Sequence, residues 1–124
     1  MIPDFAGQTV HDMQIDGCLR VWTEEDWEFD LNGDTYLTNA RLGTVRVENE
    51  QYRDDLPDEL VDLVGQQISS VLVSEQGDLA ISIGDTQLST RAGADHEAWE
   101  IGGPKGVLIV CKPGGHLAIW GPRI

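Results

Sequence analysis

The side chains whose types could do chemistry are few: His11, His96 and His116, the cysteines Cys18 and Cys111, four tryptophans and 22 acidic residues. Cys111 and His116 flank a turn and His96 lies a short way upstream, so a metal site is the first chemistry to weigh. Zinc sites draw on closely spaced ligand pairs such as Cys-x-x-Cys, and the chain has none. His116 then reads as a strand residue beside a turn, and neither a metal nor a cofactor is expected. The acid neighbours Glu24-Glu25 and Asp54-Asp55 could offer a general acid and base. Glycosidase-type hydrolysis needs two carboxyls a defined distance apart across a cleft, which sequence neighbours do not supply. Nucleophile-elbow, His-Glu-x-x-His and phosphate-loop patterns are absent, so no catalytic residue is assigned.

Acid gathered around an aromatic is the stronger signal. Trp27 stands inside Glu24-Glu25-Asp26-Trp27-Glu28-Phe29-Asp30. Its plain reading is the inward anchor of an acidic-faced edge strand, as Trp22, Trp99 and Trp120 also read mostly as core. Its sharper reading is an aromatic hot spot ringed by carboxylates, where the ring supplies desolvated area and the acids speed and orient encounter with a basic protein. A second concentration holds Asp54, Asp55, Asp58 and Glu59. The candidate partner-binding residues are therefore Glu24, Glu25, Asp26, Trp27, Glu28, Asp30, Asp54, Asp55, Asp58 and Glu59.

The net charge of −14 makes nucleic acid and anionic membrane poor partners. It is uneven: 16 acids and 4 bases precede Leu63, against 6 and 4 from there on. A solvated surface in a salt-tolerant host would spread its acids, so the asymmetry favours a partner.

The elements that must position these residues are mostly strands. Val107 to Cys111 and Leu117 to Trp120 are short apolar runs separated by Lys112-Pro113-Gly114-Gly115, a fixed φ followed by two positions that tolerate positive φ. That pattern predicts a β-hairpin whose first arm is covered on both faces. Further strands are expected over 9–15, 19–23, 27–31, near 36 and 45–47, and over 68–73, 79–83 and 86–90. One short helix is expected over 57–64, from Pro57, the early acids and a Leu stripe ending at Gly65. The fold class is α+β, mainly antiparallel β and rich in hairpins and meanders, in a single domain 1–124. Gly65-Gln66 and Gly77-Asp78-Leu79 echo Gly7-Gln8 and Gly17-Cys18-Leu19, which suggests pseudo-repeats 7–47 and 65–120.

Two cysteines make no disulfide framework, and a bridge between Cys18 and Cys111 stays open as an alternative to two free thiols. No basic leader, apolar h-region or run of about 20 apolar residues occurs, so a soluble cytoplasmic protein is the expectation.

Glu97-Ala98-Trp99, the Gly-rich linker, Val107 to Cys111 and Pro113-Gly114-Gly115-His116-Leu117-Ala118-Ile119-Trp120 resemble the end signature of a family of small, uncharacterised actinobacterial proteins, a domain of unknown function. The segment from Gly65-Gln66 to Gly77-Asp78-Leu79 is similar to the middle of those proteins. The first half departs most, in Glu24 to Asp30 and in the acidic approach to the helix. The resemblance implies a bacterial, soluble, compact domain and brings no activity or catalytic residue. Together these readings predict a non-enzymatic acidic binding protein, an immunity protein neutralising a basic bacterial toxin. The alternatives are a structural domain that self-associates as a homo-oligomer through its hydrophobic hairpin, and a small-molecule enzyme.

Overall fold

The computed structural model describes residues 2–122. Apolar and polar side chains alternate over short runs with turn residues between them, and each run becomes a strand. In chain order these are β1 (Val10–Ile15), β2 (Leu19–Thr23), β3 (Glu28–Leu31), β4 (Thr35–Asn39), β5 (Gly43–Val47), β6 (Ile68–Val73), β7 (Leu79–Ile83), β8 (Thr86–Thr90), β9 (Trp99–Gly102), β10 (Leu108–Cys111) and β11 (Leu117–Trp120). One α-helix, α1 (Asp58–Val61), lies between β5 and β6, and a single 3₁₀ turn covers Pro104–Gly106.

The strands form two antiparallel sheets, one ordered β1-β2-β3-β9-β10-β11 and the other β5-β4-β8-β7-β6. The protein is thus mainly antiparallel β with one short helix. Inward residues of both sheets close on one core, with Phe29, Leu31, Trp99 and Ile101 from the first sheet and Leu37, Ile81, Ile83 and Leu88 from the second, all fully buried. Burial of each such side chain stabilises the fold by about 1.5–3 kcal/mol.

The halves are interlaced. β3 pairs with β9 and β4 pairs with β8, so each sheet joins a block of strands from the first half to a block from the second, β1-β2-β3 to β9-β10-β11 and β5-β4 to β8-β7-β6. Phe29 sits opposite Ile101 in one sheet as Leu88 sits opposite Leu37 in the other. Where the halves meet, the backbone bonds are reciprocal: Gly7 N–H donates to Ile68 O and Gly65 N–H to Val10 O, both 2.8 Å, while Val10 N–H donates to Gln66 O and Ile68 N–H to Gln8 O.

Three local features differ from what patterning predicts. Val10, Met13 and Ile15 are out of phase for a regular strand, and a register shift between Val10 and Asp12 returns Val10 to the buried face. The helix is shorter than 57–64. After Val61 the amides of Leu63 and Val64 bond Leu60 O and Val61 O, tighter than α spacing, and Gly65 N–H leaves for Val10 O in β1. β9 was not expected as a strand; the buried positions Trp99 and Ile101 carry the period of two over only four residues. The predicted hairpin is present as β10 and β11, with β10 interior and β11 at the sheet edge.

Candidate functional site: a carboxyl cluster on the outer face of the first sheet

On β2, β3 and β9 the residues that do not enter the core form two cross-strand rows. One is Arg20–Asp30–Glu100 and the other Trp22–Glu28–Gly102. The strand period sends Phe29, Trp99 and Ile101 inward, so it necessarily brings three carboxyls together on the other face. Arg20 ties the rows: its Nε lies 3.0 Å from Asp16 Oδ1 and its Nη1 3.3 Å from Glu28 Oε2 and 3.2 Å from Asp30 Oδ2. The Trp22 indole N–H donates to Glu28 Oε1 at 2.6 Å.

Asp30 is only 7% exposed although it points away from the core. Its Oδ2 accepts from Arg20, and its Oδ1 is buried with no nitrogen or hydroxyl donor beside it. Burial, then the adjoining Glu28 and Glu100 carboxyls, push the Asp30 carboxyl up to about 8 against the pull of Arg20. Glu28 moves the other way: burial raises it, but hydrogen bonds from Asp30, Trp22 and Arg20 together hold it below the usual range. The two carboxyls are thus driven apart, Asp30 towards its protonated form and Glu28 towards its ionised one. Beside them a shallow hollow of about 290 Å³ is lined by Asp26, Glu28, Asp30, Glu100, Gly102, Gly103, Val107 and Leu108. Gly102 has open space where a side chain would stand. Carboxyls held at opposite protonation states can hold a cation or move a proton.

The predicted residues do not all share this place. Glu24, Glu25 and Asp26 are exposed on the turn between β2 and β3, and Asp26 reaches the hollow with a left-handed φ of 67°. Trp27 is partly buried instead of presented: its ring packs edge-on against Phe5 at 4.9 Å and lies against Gly103 so closely that any side chain there would collide with it. Its plain reading holds for the inward packing alone: Trp27 stands on the turn before β3, and β3 is an interior strand between β2 and β9 and not an edge. Asp54 and Asp55 are exposed beyond Arg53, whose amide bonds Ile15 O at 3.0 Å. Ile15 pairs with Leu19, whereas Val10 pairs with Thr23 beside the acidic turn, so the two acid groups sit at opposite ends of the β1–β2 hairpin. Asp58 is exposed on α1, and Glu59 lines a separate depression with Arg41 and Asp85.

Glu100, Arg20 and Trp22 were missed as site residues. The signal was the outward phase of two strands, and for Glu100 it was hidden because β9 itself was not foreseen. Among the described residues no group of three or more His, Cys, Asp or Glu is placed to hold a metal ion. Cys18 and Cys111 are free and buried; burial pushes the Cys18 thiol up to about 11 and raises that of Cys111. His116 is exposed on the turn before β11, while the Cys111 thiol faces Gly77 O. No described helix is long and apolar enough to cross a membrane.

Among known proteins, a family model described as a family of unknown function (DUF6188) matches residues 1–121. No curated protein and no solved structure matches the chain.

Proposed function

The chain belongs to that family of unknown function, and from this premise we propose that it is a non-enzymatic acidic binding protein that docks a basic protein on the outer face of its first sheet. The observation that carries the reading is the carboxyl cluster of Glu28, Asp30 and Glu100 continuing into the exposed acids Glu24, Glu25 and Asp26. Exposed acids at the rim raise the encounter rate with a basic surface, and partly desolvated acids within discriminate among such surfaces. The finer form of the proposal is an immunity protein of actinobacterial source that neutralises a basic secreted toxin, an acidic surface being complementary to a phosphate-binding cleft. Asp54, Asp55, Asp58 and Glu59 belong to a separate surface in this reading. The reciprocal bonds between the halves support the pseudo-repeat reading of 7–47 and 65–120.

The test is capture of partners from lysate and secreted fractions of the source organism on immobilised protein, washed at low and then high salt. One basic protein retained through high salt, inhibited by the chain, and released by the triple variant Glu24→Lys, Glu25→Lys, Asp26→Lys is the expected result. A salt-labile mixture, or a partner indifferent to the triple variant, overturns the reading.

A second reading, self-association, is favoured by Ile119 and Trp120, which are 47% and 53% exposed on the edge strand β11.

A further inference from the structure

An unpaired strand edge offers its backbone to any extended chain, and folds blunt such edges with a bulge, a charge or a covering segment. Three of the four sheet edges are treated so. β1 carries a bulge near Val10, and Ile15 at its other end bridges to Arg53. β6 carries a bulge near Ile68, whose carbonyl and amide are taken by Gly7 and Gln8. β5 presents the charge of Arg46. β11 has no bulge, no charged residue and, among the described residues, no strand partner but β10. Lys112 N–H donates to His116 O. Counting in steps of two from that pair puts the backbone groups of Ala118 and Trp120 on β10 and those of Leu117 and Ile119 on the open edge. Ile119 and Trp120 are exposed, and as strand neighbours they face opposite sides of the sheet.

Local charge decides what fits beside this edge. From Ile101 to its end the chain has no acid, and both of its lysines, Lys105 and Lys112, fall in that stretch. They stand at opposite ends of β11. Lys112 opens the turn before the strand, and the turn Pro104–Gly106 that holds Lys105 lies against Gly121, just past Trp120. Both lysines are exposed, and among the described residues neither is in an ion pair, although the chain has 22 acids to 8 bases. We infer that β11 is a docking edge for an extended segment of another protein, apolar in its middle and bearing a carboxylate towards each end. Leu117 and Ile119 supply the backbone pairing, Ile119 and Trp120 meet apolar side chains on the two faces, and the lysines receive the acids. A second copy fits poorly, because antiparallel pairing of β11 with itself sets Lys112 of each copy towards Lys105 of the other. The edge is separate from the acidic face, and the inference does not depend on the docking proposed there.

The probe is the blocked peptide acetyl-Glu-Val-Thr-Val-Glu-amide, titrated into the full chain and followed by amide NMR. The Leu117 and Ile119 amides are expected to shift saturably and to exchange more slowly with solvent, with smaller changes at Ala118, whose backbone already pairs with Val110. Exchanging both peptide glutamates for lysine, or introducing Lys105→Gln with Lys112→Gln in the protein, weakens binding several-fold. Ile119→Pro removes an outward donor and abolishes binding while the ladder to β10 stays closed. The double glutamine variant changes only exposed positions, so it decides the matter even where the proline variant fails to fold. Tighter binding of the lysine peptide, indifference to the glutamine variant, or shifts centred on β6 overturn the inference. A dimer mass in light scattering that shuts the peptide out also overturns it, by making a second copy the occupant. None of these failures touches the docking proposed on the acidic face.

Discussion

Asp30 shows how a single side chain can couple stability to pH. In the unfolded chain it titrates near 3.8, and in the native sheet it is held up to about 8, by burial first and by its carboxyl neighbours next. The folded state thus keeps a proton that the unfolded state has lost between those values. The contribution is full below about pH 4 and is lost as pH rises through about 8. Urea unfolding of the protein between pH 5 and 8.5 is expected to show stability declining with pH, and Asp30→Asn is expected to flatten that decline. An unchanged slope in the variant would assign the dependence to other groups. The residue scale is also where the sequence misleads most. Trp27 and Asp30 sit among acids in the chain, yet one packs on Phe5 and the other is nearly covered. Neighbours across strands, which the sequence does not order, decide such exposure.

At the scale of elements, β9 holds the two halves together. It pairs with β3 on one side and β10 on the other, and its Trp99 is fully buried with the indole N–H donated to Gly77 O at 2.8 Å. Gly77 belongs to the turn between β6 and β7, so this bond ties the first sheet to the second. Its φ of 89° and the Gly115 backbone, which crowds the place a Cβ would take, admit no side chain. Trp99→Phe removes volume and leaves Gly77 O with only the weak Cys111 thiol donor, so a loss of about 2–4 kcal/mol is expected in urea unfolding. Trp120→Phe, on the exposed edge strand, is expected to change stability by under about 0.5 kcal/mol. Equal effects would mean that Trp99 is not the tie described. The hairpin of β10 and β11 was readable because two apolar runs flank Pro113-Gly114-Gly115. β9 was not, because four residues carry too little of a period to separate strand from loop.

The whole molecule combines a net charge of −14 with an apolar edge at β11. Charge at low salt drives copies apart, so light scattering is expected to give a monomer of 13.6 kDa across concentration. A dimer mass that returns to monomer in Ile119→Lys would move the interaction surface from the acidic face to β11. By itself the sequence determined the β-rich class, most of the strands, the lone short helix and the excess of acid in the first half. Those follow from local periods of two, from turn residues with special φ, and from composition, all of which act over a few residues. Tertiary structure decided which acids meet. Glu28, Asp30 and Glu100 converge because β9 crosses from the second half to pair with β3, and Asp54 and Asp55 are left at the far end because Arg53 bridges to Ile15. Pairing between distant strands is fixed by burial of Phe29, Trp99 and Ile101 in one shared core, a condition spread over the whole chain.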